Sequence, residues 1–434
     1  MTQEIAISNN WKKPFFLIWT GQSFSLIGSM LVQFALVWWM TEKTGSAAVL
    51  ATATVISILP QILLGPFAGA LVDRWNRKRV MIVADGVTAL ATLVLVFLFW
   101  SGKIQVWHLY VAEFVRALGG TFHWPAMSAS TSLMVPEKHL SRIAGVNQAM
   151  QGVLGIIAPP LGAFLMGLLP IYSVLAIDIV TAMMAILPLS LVHIPQPSKK
   201  LEGVVSPRQL FRDVREGLRY LASWPGMIIL LGMATMINML FNPAFSLLPL
   251  MITRIFKGGA MQLGVINSAW GAGVILGGLV LGAWGGFRRK IYTSMTGIIG
   301  MSLGTMLLAS APASMFFMAM AGMALSGFMN PITNGPLFAL LQTRIRPEMQ
   351  GRVFTLVSSL AAAASPVGLA LAAPVADLLG IRFWFYIAGG VSLLMGVAGF
   401  LIPAVRTLDD LPTVQGSDEA QEPALVPVQV TPSD

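Results

Sequence analysis

Gly69-Ala70-Leu71-Val72-Asp73-Arg74-Trp75-Asn76-Arg77-Lys78-Arg79 closes one apolar run and opens the next. Four cations and one carboxylate fall within residues 73–79, in a chain where charged residues make up only 10%. A basic cluster between two runs of membrane length marks a tight turn on the cytoplasmic face of a bilayer. Gly69 lets the incoming helix pack closely. Asp73 stands where that helix ends, placed to answer a neighbouring cation or the positive N-terminus of another helix. Asn76 tolerates left-handed backbone angles, which suits the tightest point of the turn.

Outward from this turn the chain keeps the same character. Its 434 residues are 56% hydrophobic, with a mean hydropathy of +0.76. That balance excludes a soluble globule and reads as an all-α, polytopic membrane protein. The net charge of +9 does not mark a nucleic-acid binder, because the basic residues sit between apolar spans. The chain has no cysteine and four histidines, none paired at metal-ligand spacing. Thiol chemistry is therefore excluded, and no metal or cofactor is expected. No GxSxG, HExxH or paired-carboxylate site lies in a span, so an enzyme is not expected. Lys12 and Lys13 precede an apolar run too long for a cleavable leader, and the first span is expected to be permanent.

Twelve spans are predicted. Six lie at about Phe15–Met40, Ala47–Val72, Val80–Trp100, Val106–Met134, Ile143–Leu165 and Ile171–Val192. Six more lie at about Met227–Ile252, Leu263–Trp284, Ile291–Ser310, Met315–Leu341, Val353–Val375 and Phe383–Val405. They divide the chain into a polar tail (1–13), a six-helix bundle (14–192), a linker (193–224), a second six-helix bundle (225–405) and a Pro-rich acidic tail (406–434) expected to be disordered. The segment Val135–Arg142 is expected as a cytoplasmic loop. In the linker, Ser206, Pro207 and Gln209 form a helix start. Leu210, Phe211, Val214, Leu218 and Leu221 then make one apolar stripe, with Arg208, Arg212, Arg215 and Arg219 mostly off it. The expected role is a helix lying on the inner membrane surface, with a calmodulin-type target site as the alternative.

With both termini inside, the outer connections carry only Lys43, Lys103, Arg254, Lys257 and Arg382. Arg116 lies within a span, and every other basic residue falls on the inner side, which sets the orientation. The halves also repeat. Phe122-x-x-Pro125 matches Phe328-x-x-Pro331, Pro160-x-Gly162 matches Pro366-x-Gly368, and Pro136-Glu137…Arg142 matches Pro347-Glu348…Arg352. The basic turn has a counterpart in Arg288-Arg289-Lys290, which lacks the Asp. Two six-helix bundles related by a repeat place a substrate site near the midplane, at their interface.

The turn at 69–79 resembles the loop 2–3 signature of the major facilitator superfamily in Gly69, Asp73, Arg74, Arg77, Lys78 and Arg79, with Asn76 where the family usually has Gly. The resemblance covers residues 12–405 and implies twelve helices in two bundles, with both termini cytoplasmic. Arg116 with Gly119 and Gly120 resembles the span-four Arg motif of proton-driven members, which implies a role in coupling proton movement to transport. Gly152-x-x-Gly155-x-x-x-Pro159-Pro160-x-Gly162 resembles the Gly/Pro signature of the family's antiporters, with a Pro where Gly tends to stand, and favours export over import. Gly permits close helix contact and Pro a bend that serves rocking. Asp178-x-x-x-x-Met183, the linker's Arg215-Glu-Gly-Leu-Arg-Tyr-Leu221 and the Pro347-Glu348…Gly351-Arg352-Val353 loop look like the branch that holds macrolide-efflux-type proteins and the enterobactin exporter. That implies a monomeric exporter of the bacterial inner membrane, driven by the proton gradient and moving an amphipathic small molecule. A siderophore, a lysophospholipid-like metabolite, or a transport-dead sensor of the same fold are the alternatives.

Charges inside a membrane are costly, so each needs an account. Glu113 and Arg116 are three apart and share a helix face. Asp178 is expected at similar depth. One Arg cannot satisfy two carboxylates equally, so one of them could carry a proton. Glu113 is the first choice, and a static ion pair is the alternative. Asp85 is expected to anchor the basic turn by pairing with an Arg. Cavity candidates are Gln22, Ser25 and Gln33; Met233, Met236, Asn238, Met239, Phe241, Asn242 and Phe245; and Asn330 and Asn334. Met and aromatic side chains adapt to varied apolar ligands, though such stripes also serve plain helix packing.

Overall fold

The computed structural model describes residues 11–72, 74–194, 215, 219, 224–345 and 347–410. Asp73, the linker stripe and the tail beyond Asp410 lie outside the described residues. Twelve long helices follow one another: α1 (Lys12–Thr44), α2 (Ala47–Val72), α3 (Arg77–Trp100), α4 (Val106–Met134), α5 (Glu137–Leu168), α6 (Ile171–Leu191), α7 (Pro225–Arg254), α8 (Ala260–Trp284), α9 (Lys290–Ser310), α10 (Phe316–Arg344), α11 (Pro347–Leu378) and α12 (Ile381–Leu401). A short α13 (Pro403–Arg406) and a 3-10 turn (Thr407–Asp410) close the described chain. Eleven of the long helices are apolar enough to cross a membrane. The twelfth, α4, carries Glu113, Arg116 and His123.

The outer wall inverts the rule for soluble proteins. Leu191, Phe317 and Leu378 are each more than four-fifths exposed. In a bilayer those side chains meet lipid, while every helix satisfies its own backbone.

The packing repeats with the sequence. In the first half, α1 packs on α5 and α6, α2 on α4, and α3 on α4 and α6. In the second half, α7 packs on α11 and α12, α8 on α10, and α9 on α10 and α12. Each pairing is reproduced six helices later. Across the halves, α2 meets α11 and α5 meets α8, and exchanging the halves exchanges those two contacts. A methyl group at Gly69 would meet nothing within 4 Å, so that glycine does not serve the close packing expected of it, but Gly162 and Gly368 occupy matching places. A methyl group at Gly162 of α5 would press on Phe34 of α1, and one at Gly368 of α11 on Met239 and Pro243 of α7.

Helices run past the apolar runs at several ends. The segment expected as a loop at Val135–Arg142 is helical from Glu137 onward. The ordered chain also continues past Val405 to Asp410, into the region expected to be disordered.

The basic turn is built otherwise than its residue types imply. Asn76 is extended, with φ −68° and ψ 107°, and its side chain accepts from the Arg79 backbone N–H. Asn serves here as an N-cap rather than as a left-handed residue. Lys78 Nζ donates to the carbonyls of Ser190 (2.7 Å) and Val192 (3.0 Å). These groups at the end of α6 lack helical partners and sit at the negative pole of its dipole. Arg77 donates to the Ala129 carbonyl near the end of α4, at 2.9 Å. One turn thus ties three helices together at the basic end of the molecule.

The matching turn of the second half borrows its acid from the short segment that follows α12 and α13. Asp409 accepts from the Lys290 and Ile291 backbone N–H groups at 3.2 and 3.0 Å, which caps α9. Asp410 meets Arg289 at 3.3 Å. Arg344 donates to the Asp409 carbonyl at 2.6 Å.

Candidate functional site

Glu113, Arg116, Gly120 and His123 are spaced three, four and three residues apart on α4 and share one face of it. That face lines a cavity of about 700 Å³. All of its lining residues come from α1 to α6, among them Trp19, Gln22, Asp85, Trp124, Met127 and Met150. The cavity reaches the basic end at Thr131, Ser132 and Leu140. A second cavity, of about 480 Å³, lies between the halves and brings Thr54 and Gln61 of α2 together with Asn238, Asn242 and Phe245 of α7 and Ser365 of α11. Glu113 and Gln33 line both cavities and stand between them.

Arg116 pairs with Asp178 and not with Glu113. Its Nη1 lies 2.7 Å from Asp178 Oδ2 and also donates to the Thr92 hydroxyl. Thr92 donates to the same carboxylate oxygen at 2.8 Å, and Ser29 donates to Oδ1 at 3.1 Å. Asp178 is 1% exposed. A buried ion pair persists only when its remaining lone pairs and protons are met, and the two hydroxyls meet them. Gly28 makes room for this knot, since a methyl group there would collide with Thr181 and Asp178. Of the two carboxylates expected near Arg116, Asp178 takes it, and the pair is a clasp joining α1, α3, α4 and α6.

Glu113 is left without such support. It is 3% exposed, and its buried Oε1 has no hydrogen-bond partner. A carboxylate so placed is costly as an anion, and binding a proton removes that charge.

Asp85 departs from the expected role. Its carboxylate does not reach an Arg of the basic turn among the described residues. Gln22 donates to Oδ2 at 2.9 Å, and His123 Nε2 lies 3.3 Å from Oδ1, close but without hydrogen-bond alignment. His123 is a site residue the sequence reading passed over. No other histidine stands at metal-ligand spacing to mark it, while the spacing from Glu113 along α4 places it on the same face.

The remaining cavity candidates divide. Gln22, Ser25 and Gln33 line the large cavity, and Asn238, Asn242 and Phe245 line the second. Met236, Phe241, Asn330 and Asn334 line neither. Phe241 is packed in the core, and the Asn334 amide donates to the Asn330 carbonyl one turn back.

The Gly/Pro segment of α5 lies on α8. A methyl group at Gly264 would press on Pro159 and Pro160, and one at Gly271 on Gly155 and Ile156. Gly152 faces Ile275. Ser268 donates to the Ile156 carbonyl at 2.5 Å. Toward the end away from the basic turns, the Thr54 and Ser246 hydroxyls meet at 2.8 Å. At that far end Arg254 donates to the Gly45 carbonyl and approaches Asp377 at 3.9 Å. The halves are pinned there, while the large cavity extends toward the basic end.

The Major Facilitator Superfamily profile matches residues 18–251 and 229–429. The chain is 34% identical over 401 residues to "Macrolide efflux protein A" of Streptococcus pyogenes, covering 92% of this chain and 98% of that one. It is 27% identical over 421 residues to "Multidrug efflux pump Tap" of Mycobacterium tuberculosis, covering 93% and 97%. Among solved structures, a D-xylose-proton symporter superposes with a TM-score of 0.68 at 12% identity, over 93% of this chain and all of that one. A bacterial homologue of the lysosomal transporter Spinster, in an inward-facing and unoccupied conformation, superposes with a TM-score of 0.64 at 13% identity, over 93% and 97%. At those identities the structural likeness speaks for the fold.

Proposed function

The chain belongs to the major facilitator superfamily, as a multi-span transporter and not an enzyme, and we propose that it exports macrolide-like amphipathic drugs across a bacterial inner membrane in exchange for protons. The observation that carries the coupling is Glu113, a buried carboxyl whose Oε1 has no hydrogen-bond partner, standing between the two cavities. The named relatives support the substrate class. Met30, Met127, Met150, Trp19 and Trp124 offer the adaptable apolar walls that such molecules need.

The basic end faces the cytoplasm. Substrate enters the large cavity from that side and moves inward to the level of Gln33 and Glu113. Glu113 gives up its proton as the cavity fills, and a proton from the opposite face replaces it once the bundles have rocked and substrate has left. The Arg116–Asp178 clasp keeps the first bundle rigid through this motion. A single chain holds both bundles, so the monomer is the working unit. A catecholate siderophore fits less well, because Arg116, the one Lys or Arg among the described residues lining the large cavity, is already engaged by Asp178.

Reconstitution in liposomes tests this. Erythromycin added to the wild-type protein should drive proton release, and Glu113→Gln should abolish it. Proton release retained in Glu113→Gln would remove Glu113 from the coupling. Binding of erythromycin without flux in the wild type would point to a sensor.

A further inference from the structure

The large cavity holds a second titratable pair, Asp85 on α3 and His123 on α4. His123 is ten residues past Glu113 toward the basic end, about 15 Å along the helix at about 1.5 Å per residue. Gln22 fixes one oxygen of Asp85 at 2.9 Å, and the other faces His123 Nε2 at 3.3 Å. An imidazole nitrogen turned toward a carboxylate oxygen can carry a proton between the two, and here the pair is close without being locked in an aligned hydrogen bond.

The surroundings narrow the role. The charged or titratable residues lining the cavity are Asp85, Glu113, Arg116, His123 and Asp178. Arg116 and Asp178 neutralise each other. The elements that flank His123 otherwise contribute neutral groups, Gln22 from α1 and Asn147 and Gln151 from α5. His123 thus answers to Asp85 and, at longer range, to Glu113. At about 30 Å³ per molecule, a cavity of about 700 Å³ has room for roughly twenty waters between the two sites.

We propose that Asp85 and His123 form the exit station for the coupled proton, which rests on the exporter reading and adds a second group to it. A proton leaving the Glu113 carboxyl passes through cavity water to Nδ1 of His123, while Nε2 keeps its hydrogen toward the Asp85 carboxylate. The imidazolium so formed is held by the Asp85 carboxylate. It then gives one proton to water at the basic end and returns to neutral imidazole. Asp85 stays ionised and acts as a positioning residue for His123.

The experiment measures erythromycin-driven proton release in proteoliposomes across a range of pH, with erythromycin affinity measured on the same purified proteins. His123→Gln should slow release at least tenfold at saturating erythromycin. Asp85→Asn should slow release and change the shape of its pH profile. Added imidazole should restore release to His123→Ala, a rescue that a purely structural histidine would not allow. Release at the wild-type rate in His123→Gln, or no rescue of a folded and drug-binding His123→Ala, overturns the exit station and leaves Glu113 coupling standing. No release from the wild type overturns the coupled exporter, and the exit station with it.

Discussion

Asp178 and Glu113 are both buried carboxylates lining the large cavity, and their surroundings divide the labour between them. Asp178 accepts three hydrogen bonds, one from a cation. Removing its charge strands Arg116, so Asp178→Asn should lower stability by about 3–5 kcal/mol. Thermal unfolding of the purified protein in detergent measures this. Glu113→Gln should leave the unfolding temperature at or above that of wild type, because the amide keeps the shape of a buried side chain whose Oε1 has no hydrogen-bond partner to lose. A large stability loss in Glu113→Gln would mean that the carboxylate has a structural partner. The shared face of Glu113 and Arg116 was legible from their spacing. Which carboxylate the guanidinium takes was not, because that depends on the relative rotation of α4 and α6. His123 escaped for a related reason, since its partner lies on another helix.

The helices themselves were largely readable. Apolar runs located all twelve, but they understate the ends at Lys12, Arg77, Glu137 and Pro347. Hydropathy records contact with lipid, whereas a helix continues for as long as its backbone hydrogen bonds do. Asn76 shows the limit of residue preference, since Asn suits a left-handed turn and a helix N-cap equally, and the backbone chose the cap. The second basic turn lacks an acid in its own sequence and takes Asp409 from the 3-10 turn after α13. Asp409→Ala should therefore loosen the first turn of α9 by about 0.5–2 kcal/mol. Hydrogen exchange at Lys290 and Ile291 reads this directly, and unchanged protection would show the cap to be idle. On α8, Gly264→Val should wedge the α5–α8 contact, where the added atoms meet Pro159 and Pro160.

At the scale of the molecule, the far-end contacts between the halves set which face the cavity reaches. The chain contains no cysteine, so introduced thiols report without background. Thr54 and Ser246 meet across the halves at 2.8 Å. The double variant Thr54→Cys with Ser246→Cys should cross-link on mild oxidation and stop transport, and a reductant should restore it. Continued transport in the cross-linked protein would show that the far end need not open. Gly264→Val should act the opposite way and raise thiol labelling at a far-end position such as Ser246→Cys. Two bundles, their repeat, the basic turns and the presence of embedded charge all follow from patterns local to the chain, because the bilayer imposes span length, apolar surface and charge asymmetry one helix at a time. The division of Asp178 into a clasp and Glu113 into an unpartnered acid, the meeting of Asp85 with His123, and the gathering of the large cavity within the first bundle arise between helices. They depend on rotations and depths that close packing selects, and no single span encodes them.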